Sequence, residues 1–329
     1  MKQLANKRSR KRMYIHLDKS QLWKADIAKS VDFYNRWFLR FAPAAFKKER
    51  SSATASVLNL FRVTQNLRAF GWETLRDHPR TLMVLRMATC PPIARDRLIG
   101  LADAKTSLVH TLEDGKLPTR LNVDLLASEL KKIAEVLSKL FDTDLLPWLD
   151  GKSKPSVSEL ERSATVIADR LCGSVADPII RNAQEERQLQ SVSKWLNARG
   201  YKKISAPSTG TALEEMPAGT YAFRMNVLVG KTQLVRIPVD IVIQPKKATA
   251  GSLPLLVEAK SAGDFTNTNK RRKEEAQKFQ QLRARYGNKV KYVLFLCGYF
   301  DSGYLGYEAA EGIDWVWEHR IDDLAKLGL

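Results

Sequence analysis

The sequence has few residues of the types that build disulfides, zinc sites or membrane spans. Its three cysteines are far apart and form no Cys-x-x-Cys pair, which predicts buried free thiols in a reducing cytosol. Its four histidines lack zinc-ligand spacing. No apolar run reaches the length of a membrane span, and none follows the basic amino terminus as in a signal peptide. We therefore expect a cytoplasmic protein without a membrane partner.

Acidic residues are scarce relative to basic ones. Lys and Arg total 54 against 36 Asp and Glu, a formal net charge of +18. Such an excess suits a polyanion, because each phosphate that a cation neutralises releases condensed counterions. The 329 residues are enough for two domains with separate cores, so the composition predicts a two-domain protein that binds nucleic acid.

Three stretches of different composition divide the chain. Residues 1–12 contain six basic residues and little that is apolar, which predicts a basic flexible tail over residues 1–19. This tail is either solvated or lies along DNA phosphates. Apolar residues recur at spacings of three and four through residues 20–150, which predicts an all-helical domain. A polar linker at 150–155 separates it from a second domain, residues 156–329.

Local signals predict the individual elements. Pro43 and the polar run after it predict the end of the first helix, and Ser158-x-x-Glu161 predicts a capping box at the first helix after the linker. Past Gly200 the pattern changes from helical to extended. The order helix, three strands, helix, strand predicts an α/β domain with a mixed sheet flanked by helices. The predicted strands are 221–229, 233–243, 253–258, 290–297 and 313–317, with a helix at 268–286.

Two acids and a lysine mark the ends of two neighbouring predicted strands. Asp240 lies in one strand, and Glu258-Ala259-Lys260 ends the next. Residues two apart in a strand share a face, so Glu258 and Lys260 project to the same side. If the strands pair antiparallel, Asp240 reaches the same point. The segment Glu129-Leu130-Lys131 has the same spacing, but it lies in a predicted helix, where residues two apart diverge.

This arrangement predicts a metal-dependent site for phosphodiester cleavage. Two carboxylates that meet repel each other unless a cation joins them, and hard oxygen ligands suit Mg²⁺. Asp240 and Glu258 are the predicted metal ligands, and Lys260 is expected to orient or help deprotonate the attacking water. The alternative is a structural salt bridge between Asp240 and Lys260.

A fourth catalytic acid is predicted on the helix before the strands. Glu185 falls on the helix face that carries Leu189 and Val192. A carboxylate at the start of a buried helix face needs a positively charged or hydrogen-bonding partner, and a bound metal ion is one such partner. Glu186 is the alternative candidate, and an ordinary surface role for the acid remains a further interpretation.

A polar and basic run follows Lys260. Its helix-capping residues indicate a helix amino terminus, which is a favourable site for a phosphate group. Four consecutive basic residues follow in the first turn, where acidic residues are usually found. We expect this run to contact DNA; the alternative is a solvated charged face. The predicted DNA-binding residues are Asn267, Asn269, Lys270, Arg271, Arg272 and Lys273.

The layout of Asp240 and Glu258-Ala259-Lys260 within this order of elements resembles the PD-(D/E)XK nuclease superfamily. The proline of the family pattern is displaced, since Pro238 lies two residues before the aspartate. The segments 258–276 and 26–43 resemble type II restriction endonucleases of the XamI family. The fold expected is thus an all-helical domain followed by a PD-(D/E)XK core.

The resemblance implies a prokaryotic, cytoplasmic type II site-specific deoxyribonuclease that cuts double-stranded DNA at a short palindrome with Mg²⁺. A palindromic site implies a homodimer, since each strand needs its own active site. It also implies a DNA methyltransferase in the same restriction–modification system, but not as a stable subunit. Two alternatives remain: a structure-specific or repair nuclease on the same core, and a non-catalytic DNA-binding protein.

Overall fold

The computed structural model describes residues 14–119, 121–151, 153–206, 213–230, 233–266 and 268–329, and the side chains of 268–271 are outside this description. The chain forms two compact units, one of residues 41–180 and one of residues 1–40 with 181–329. Two long helices, α1 and α7, contribute to both units. The helices are α1 Ser20–Val63, α2 Trp72–Asp77, α3 Thr81–Met87, α4 Arg95–Ala102, α5 Thr106–Glu113, α6 Val123–Leu140, α7 Val157–Ala198, α8 Thr268–Tyr286 and α9 Ser302–Glu311.

The unit of residues 41–180 is built from helices around one apolar core. In α6, Leu130, Ile133 and Leu137 are fully buried and recur at spacings of three and four, which gives the helix one apolar face. The Asn122 side chain caps α6 by accepting a hydrogen bond from the Asp124 amide at 3.0 Å. The helical character predicted for this part of the chain is confirmed.

Helix α1 passes through Pro43, so the prediction that this proline ends the helix is wrong. A proline inside a helix removes one hydrogen bond and costs about 3 kcal/mol. The buried face continues beyond it with Val57 and Leu60, and burial of that face offsets the cost. The capping box at the start of α7 consists of Ser156 and Glu159, with hydrogen bonds of 2.7 and 3.3 Å, two residues before the predicted one.

The two units differ from the predicted domains at their boundaries. Residues 20–40 group with the sheet and not with the helical unit, because α1 contributes to both units. Residues 14–19, assigned to the flexible tail, include the buried Ile15 and His16. The amides of residues 15–17 donate to the Asp314 carboxylate. The strongly basic residues 1–12 lie outside the described part of the chain.

The other unit contains a mixed six-stranded sheet in the order β1 to β6. The pair β1–β2 is parallel, β2–β3 and β3–β4 are antiparallel, and β4–β5 and β5–β6 are parallel. This confirms the predicted α/β class and the predicted strand run from 221 to 317. The strands are β1 Lys202–Lys203, β2 Thr220–Val229, β3 Val235–Gln244, β4 Leu255–Ala262, β5 Lys291–Gly298 and β6 Asp314–Trp317.

Helices cover both faces of this sheet. Apolar residues of α8 and α9 pack with one set of strand residues, including Leu256 and Leu294. Apolar residues of α7 pack with the alternate set, including Val257 and Phe295. This alternation is what the two-residue period of a strand requires. In the described part of the chain, no helix is both long and apolar enough to cross a bilayer.

Candidate active site

The register of β3 and β4 brings the two predicted carboxylates together. Ile241 lies opposite Val257 in this antiparallel pair, so Asp240 comes opposite Glu258. Asp240 Oδ2 accepts a hydrogen bond from the Ala259 amide at 2.9 Å. The pairing thus has the orientation that the sequence argument required, and it fixes Asp240 against the strand that carries Glu258.

Glu258 and Lys260 project from β4 toward the same side, as their spacing predicts. Lys260 Nζ lies 3.1 Å from Glu258 Oε1 and 3.7 Å from Glu275 Oε1. Lys278 Nζ donates to Glu258 Oε2 at 2.7 Å. The ion pairs of Lys260 are therefore made with Glu258 and Glu275, and the alternative of a strand-end bridge to Asp240 is not the arrangement seen.

Asp240, Glu258 and Lys260 line a cavity of about 280 Å³. The helix α7 lines the other side of the same cavity with neutral, basic and acidic residues. The lining residues are Arg181, Gln184, Glu185, Gln188, Asp240, Glu258, Ala259, Lys260, Ser261 and Glu274. Asp240, Glu258, Lys260 and Glu185, predicted separately from the sequence, are therefore brought to one place.

Burial and mutual repulsion set the charges in the cavity. Burial, followed by the charge of Glu258, raises the pKa of Asp240 to about 6. Burial lowers the pKa of Lys260, but the charges of Glu258 and Glu275 outweigh that effect, and the pKa is raised overall. Near neutral pH the site therefore holds a carboxylate that ionises reluctantly beside a lysine that keeps its proton.

The donor set of the cavity fits Mg²⁺. Among the described residues, no group of three or more His, Cys, Asp or Glu side chains is placed to hold a metal ion. Mg²⁺ needs fewer protein ligands, since it keeps several waters and takes one or two carboxylates together with substrate phosphate. Burial and then the charge of Glu258 raise the pKa of Asp240, and a cation between these two carboxylates would relieve their repulsion.

Glu185 lines the cavity but is paired with an arginine. Arg224 donates to Glu185 Oε1 at 2.9 Å and lies 3.8 Å from Glu186 Oε2. Arg224 has φ of 51° in the middle of β2, an uncommon conformation for a residue other than glycine. It falls in register opposite Asp240, between the pairs Phe223–Ile241 and Met225–Val239. The arginine that pairs with Glu185 therefore has a strained backbone conformation.

Several residues of the site were not predicted from the sequence. Gln188 Nε2 donates to the carbonyls of Lys260 at 3.3 Å and Phe295 at 3.1 Å. Glu275 and Lys278 reach the site from α8. The sequence held a partial signal, because these two residues precede the apolar Phe279 and Leu282 by four positions each and so share their helix face. That spacing does not tell which strand residues the face meets.

The predicted DNA-binding run begins α8 beside the site. Asn267 lies outside the described residues, and so do the side chains of Asn269, Lys270 and Arg271. The Arg272 guanidinium stacks over the Tyr307 ring, with 4.9 Å between the guanidinium carbon and the ring centroid. The Lys273 side chain is exposed. The two described members of the run therefore differ, one held against α9 and one open to solvent.

Comparisons with known proteins assign a family to this chain. Residues 65–317 match the family described as XamI restriction endonuclease, and this segment includes every predicted site residue. The type II restriction enzyme SalI of Streptomyces albus G is 52% identical over 314 residues, which cover 95% of this chain and 99% of that protein. No solved structure matches. These matches confirm the resemblance to the XamI family, and the chain belongs to that family of restriction endonucleases.

Proposed function

We propose that this restriction endonuclease is a type II enzyme whose active centre consists of Asp240, Glu258 and Lys260 in a PD-(D/E)XK core. One observation carries the proposal: the register of β3 and β4 places the two carboxylates opposite each other, with Lys260 Nζ 3.1 Å from Glu258. The substrate is double-stranded DNA, cut at a short palindromic sequence with Mg²⁺. The support from the comparisons is that the relative is a type II restriction enzyme.

Each residue has a distinct role in this proposal. Asp240 and Glu258 would hold Mg²⁺ through their carboxylates, and the ion when bound would supply positive charge at the scissile phosphate and activation of water. The Ala259 amide keeps Asp240 in place through its hydrogen bond of 2.9 Å. Lys260, protonated in the free enzyme, donates a hydrogen bond to the attacking water or to a phosphate oxygen and stabilises the developing negative charge.

The helix α7 supplies the other side of the site. Glu185 is the proposed fourth acid, and its pairing with Arg224 fixes its direction in the free enzyme. Glu186 is 54% exposed at its side chain against 38% for Glu185 and lies farther from Arg224, which favours Glu185.

DNA contact is proposed for the start of α8. Asn267, Asn269 and the cations Lys270–Lys273 follow Lys260 by 7 to 13 positions and lie at the start of the helix that also carries Glu275 and Lys278. Phosphates bound there would lie near the scissile bond. The net charge of +18 supplies the general attraction to DNA.

The biological setting follows from the class of enzyme. A palindromic site has two-fold symmetry, so a homodimer presents one active centre to each strand. We further propose a separate methyltransferase that protects the host DNA, and a location in the prokaryotic cytoplasm, where that DNA lies.

The test is digestion of a sequenced plasmid with and without Mg²⁺, followed by sequencing of the fragment ends. The enzyme is compared with Lys260→Ala and with Lys131→Ala, a control from the Glu-x-Lys spacing on helix α6. We expect discrete Mg²⁺-dependent fragments that share one palindrome for the enzyme and the control, and none for Lys260→Ala. Cutting by Lys260→Ala would contradict the proposed centre. A smear would indicate a nuclease without sequence specificity, and binding without cutting by any of the proteins would indicate a DNA-binding protein.

A further inference from the structure

We propose that helix α8 positions the catalytic charges through a second pair of opposite sign, Glu275 and Lys278. Glu275 is the positioning residue for Lys260, and Lys278 is the positioning residue for Glu258. The inference rests on the proposed function of Glu258 and Lys260 and deepens it.

Each pair consists of one acid and one lysine on the same face of its element. Glu275 and Lys278 are three residues apart in α8, so they share a helix face. Glu258 and Lys260 are two residues apart in β4, so they share a strand face. Each residue meets the opposite charge: Lys278 Nζ lies 2.7 Å from Glu258, and Lys260 Nζ lies 3.7 Å from Glu275. Both oxygens of Glu258 are thus occupied by lysines in the free enzyme.

Glu275 is itself held in one orientation. It is 2% exposed, and its Oε2 accepts a hydrogen bond of 2.6 Å from the Tyr304 hydroxyl. Glu308 on α9 is fully buried, and burial followed by the charge of Glu275 raises its pKa to about 9. Of these two acids, Glu275 is the one that lies 3.7 Å from Lys260 Nζ. A buried carboxylate with this support is a fixed countercharge and not a solvated surface acid.

Acids from two elements hold the ammonium group of Lys260. Glu258 Oε1 on β4 lies 3.1 Å from Lys260 Nζ, and Glu275 Oε1 on α8 lies 3.7 Å from it. Removal of the Glu275 carboxylate leaves Lys260 held by Glu258 alone, so its ammonium group can turn away from the position that it takes in the cavity.

Lys278 Nζ contacts Glu258 Oε2, an oxygen through which Glu258 could bind a metal ion. A cation at Glu258 Oε2 competes with a divalent ion for the same oxygen. In the free enzyme Lys278 therefore neutralises Glu258 and keeps it aimed at the cavity, and it must release that oxygen before Glu258 can bind a metal through it.

The first experiment measures kcat and KM for DNA cleavage by the full-length enzyme at one pH and saturating Mg²⁺ for Glu275→Gln, Glu275→Asp and the control Glu311→Gln. For Glu275→Gln we expect kcat to fall by about 10-fold or more with little change in KM, because Lys260 is no longer held in position while DNA binding is intact. Glu275→Asp keeps the carboxylate and should restore part of kcat. Tyr304→Phe removes only the hydroxyl that holds Glu275, should lower kcat in the same way, and serves if Glu275→Gln does not fold.

The second experiment measures Mn²⁺ binding by calorimetry in the absence of DNA. Lys278→Met should bind Mn²⁺ about 10-fold more tightly than the wild type, because a competing cation has gone, and Lys278→Arg should not. An unchanged kcat in a folded Glu275→Gln, or unchanged Mn²⁺ affinity in Lys278→Met, overturns the corresponding half of the proposal. Lys260→Ala is included throughout: if it cleaves DNA, the proposed centre itself fails, whereas an inactive Lys260→Ala beside a normal Glu275→Gln refutes only the positioning role.

Discussion

The charge of Asp240 should destabilise the free enzyme, and its removal should stabilise the fold while it abolishes cleavage. The pKa of Asp240 is raised from 3.8 to about 6 by burial and by Glu258. Each pKa unit corresponds to about 1.36 kcal/mol, so the shift gives at most about 3 kcal/mol. Because Asp240 is only partly buried, solvent screening reduces this to about 1–3 kcal/mol.

The sign of the effect follows from proton linkage. The folded pKa lies above the unfolded one, so between pH of about 4 and about 6 the folded state binds more protons. Stability is therefore lost as pH rises through this window, and the full penalty is present above it. Asn at this position keeps an oxygen that can accept the Ala259 hydrogen bond and removes only the charge.

The assay is equilibrium unfolding of wild type and Asp240→Asn in EDTA at a series of pH values, with Asp32→Asn, an exposed aspartate on α1, as the control. We expect Asp240→Asn to be more stable by about 1–3 kcal/mol at pH 8, or about 2–4 °C for each kcal/mol, and equal to wild type near pH 4. A variant that is less stable at pH 8, or a difference that does not change with pH, would refute the electrostatic reasoning.

Three further predictions concern catalysis, DNA binding and packing. Glu185→Ala should slow cleavage with little change in the unfolding temperature. Full activity in a cleavage assay would show that Glu185 is an ordinary surface residue without a catalytic role. Neutralising Lys270–Lys273 should weaken DNA binding and flatten its salt dependence by about 0.9 for each phosphate that is no longer neutralised, and an unchanged slope in a binding titration would place these cations away from DNA. Arg187→Ala should cost about 3–5 kcal/mol in denaturant unfolding because it leaves Glu318, now 2.9 Å away and buried, without its partner; a decrease below about 1 kcal/mol would show that water compensates that charge.

The α/β architecture was predictable because strand and helix periods differ. The alternation of side chains along β3 and β4 also indicated that Glu258 and Lys260 share a face, and the antiparallel pairing then brought Asp240 opposite Glu258. The end of α1 was not predictable from Pro43, since a local rule does not report how much apolar face is buried beyond the proline.

The second layer of the site shows the limit of sequence reasoning. Glu275 and Lys278 read as ordinary polar residues of a strongly charged helix, and only tertiary packing brings them to Lys260 and Glu258. The pairing of Glu185 with Arg224 was hidden for the same reason, because it depends on a left-handed residue inside β2. Spacing along one element can be read from sequence, whereas contacts between elements require the register and packing of the fold.

The most direct measurement is a crystal structure of the enzyme with duplex DNA that carries its site, in the presence of Mn²⁺. The anomalous signal of Mn²⁺ locates the metal independently of any assumption about its ligands. We predict a peak between the carboxylates of Asp240 and Glu258, beside the scissile phosphate and within reach of Lys260. A peak at other side chains, with the cleaved phosphate remote from β3 and β4, would contradict the proposed active centre.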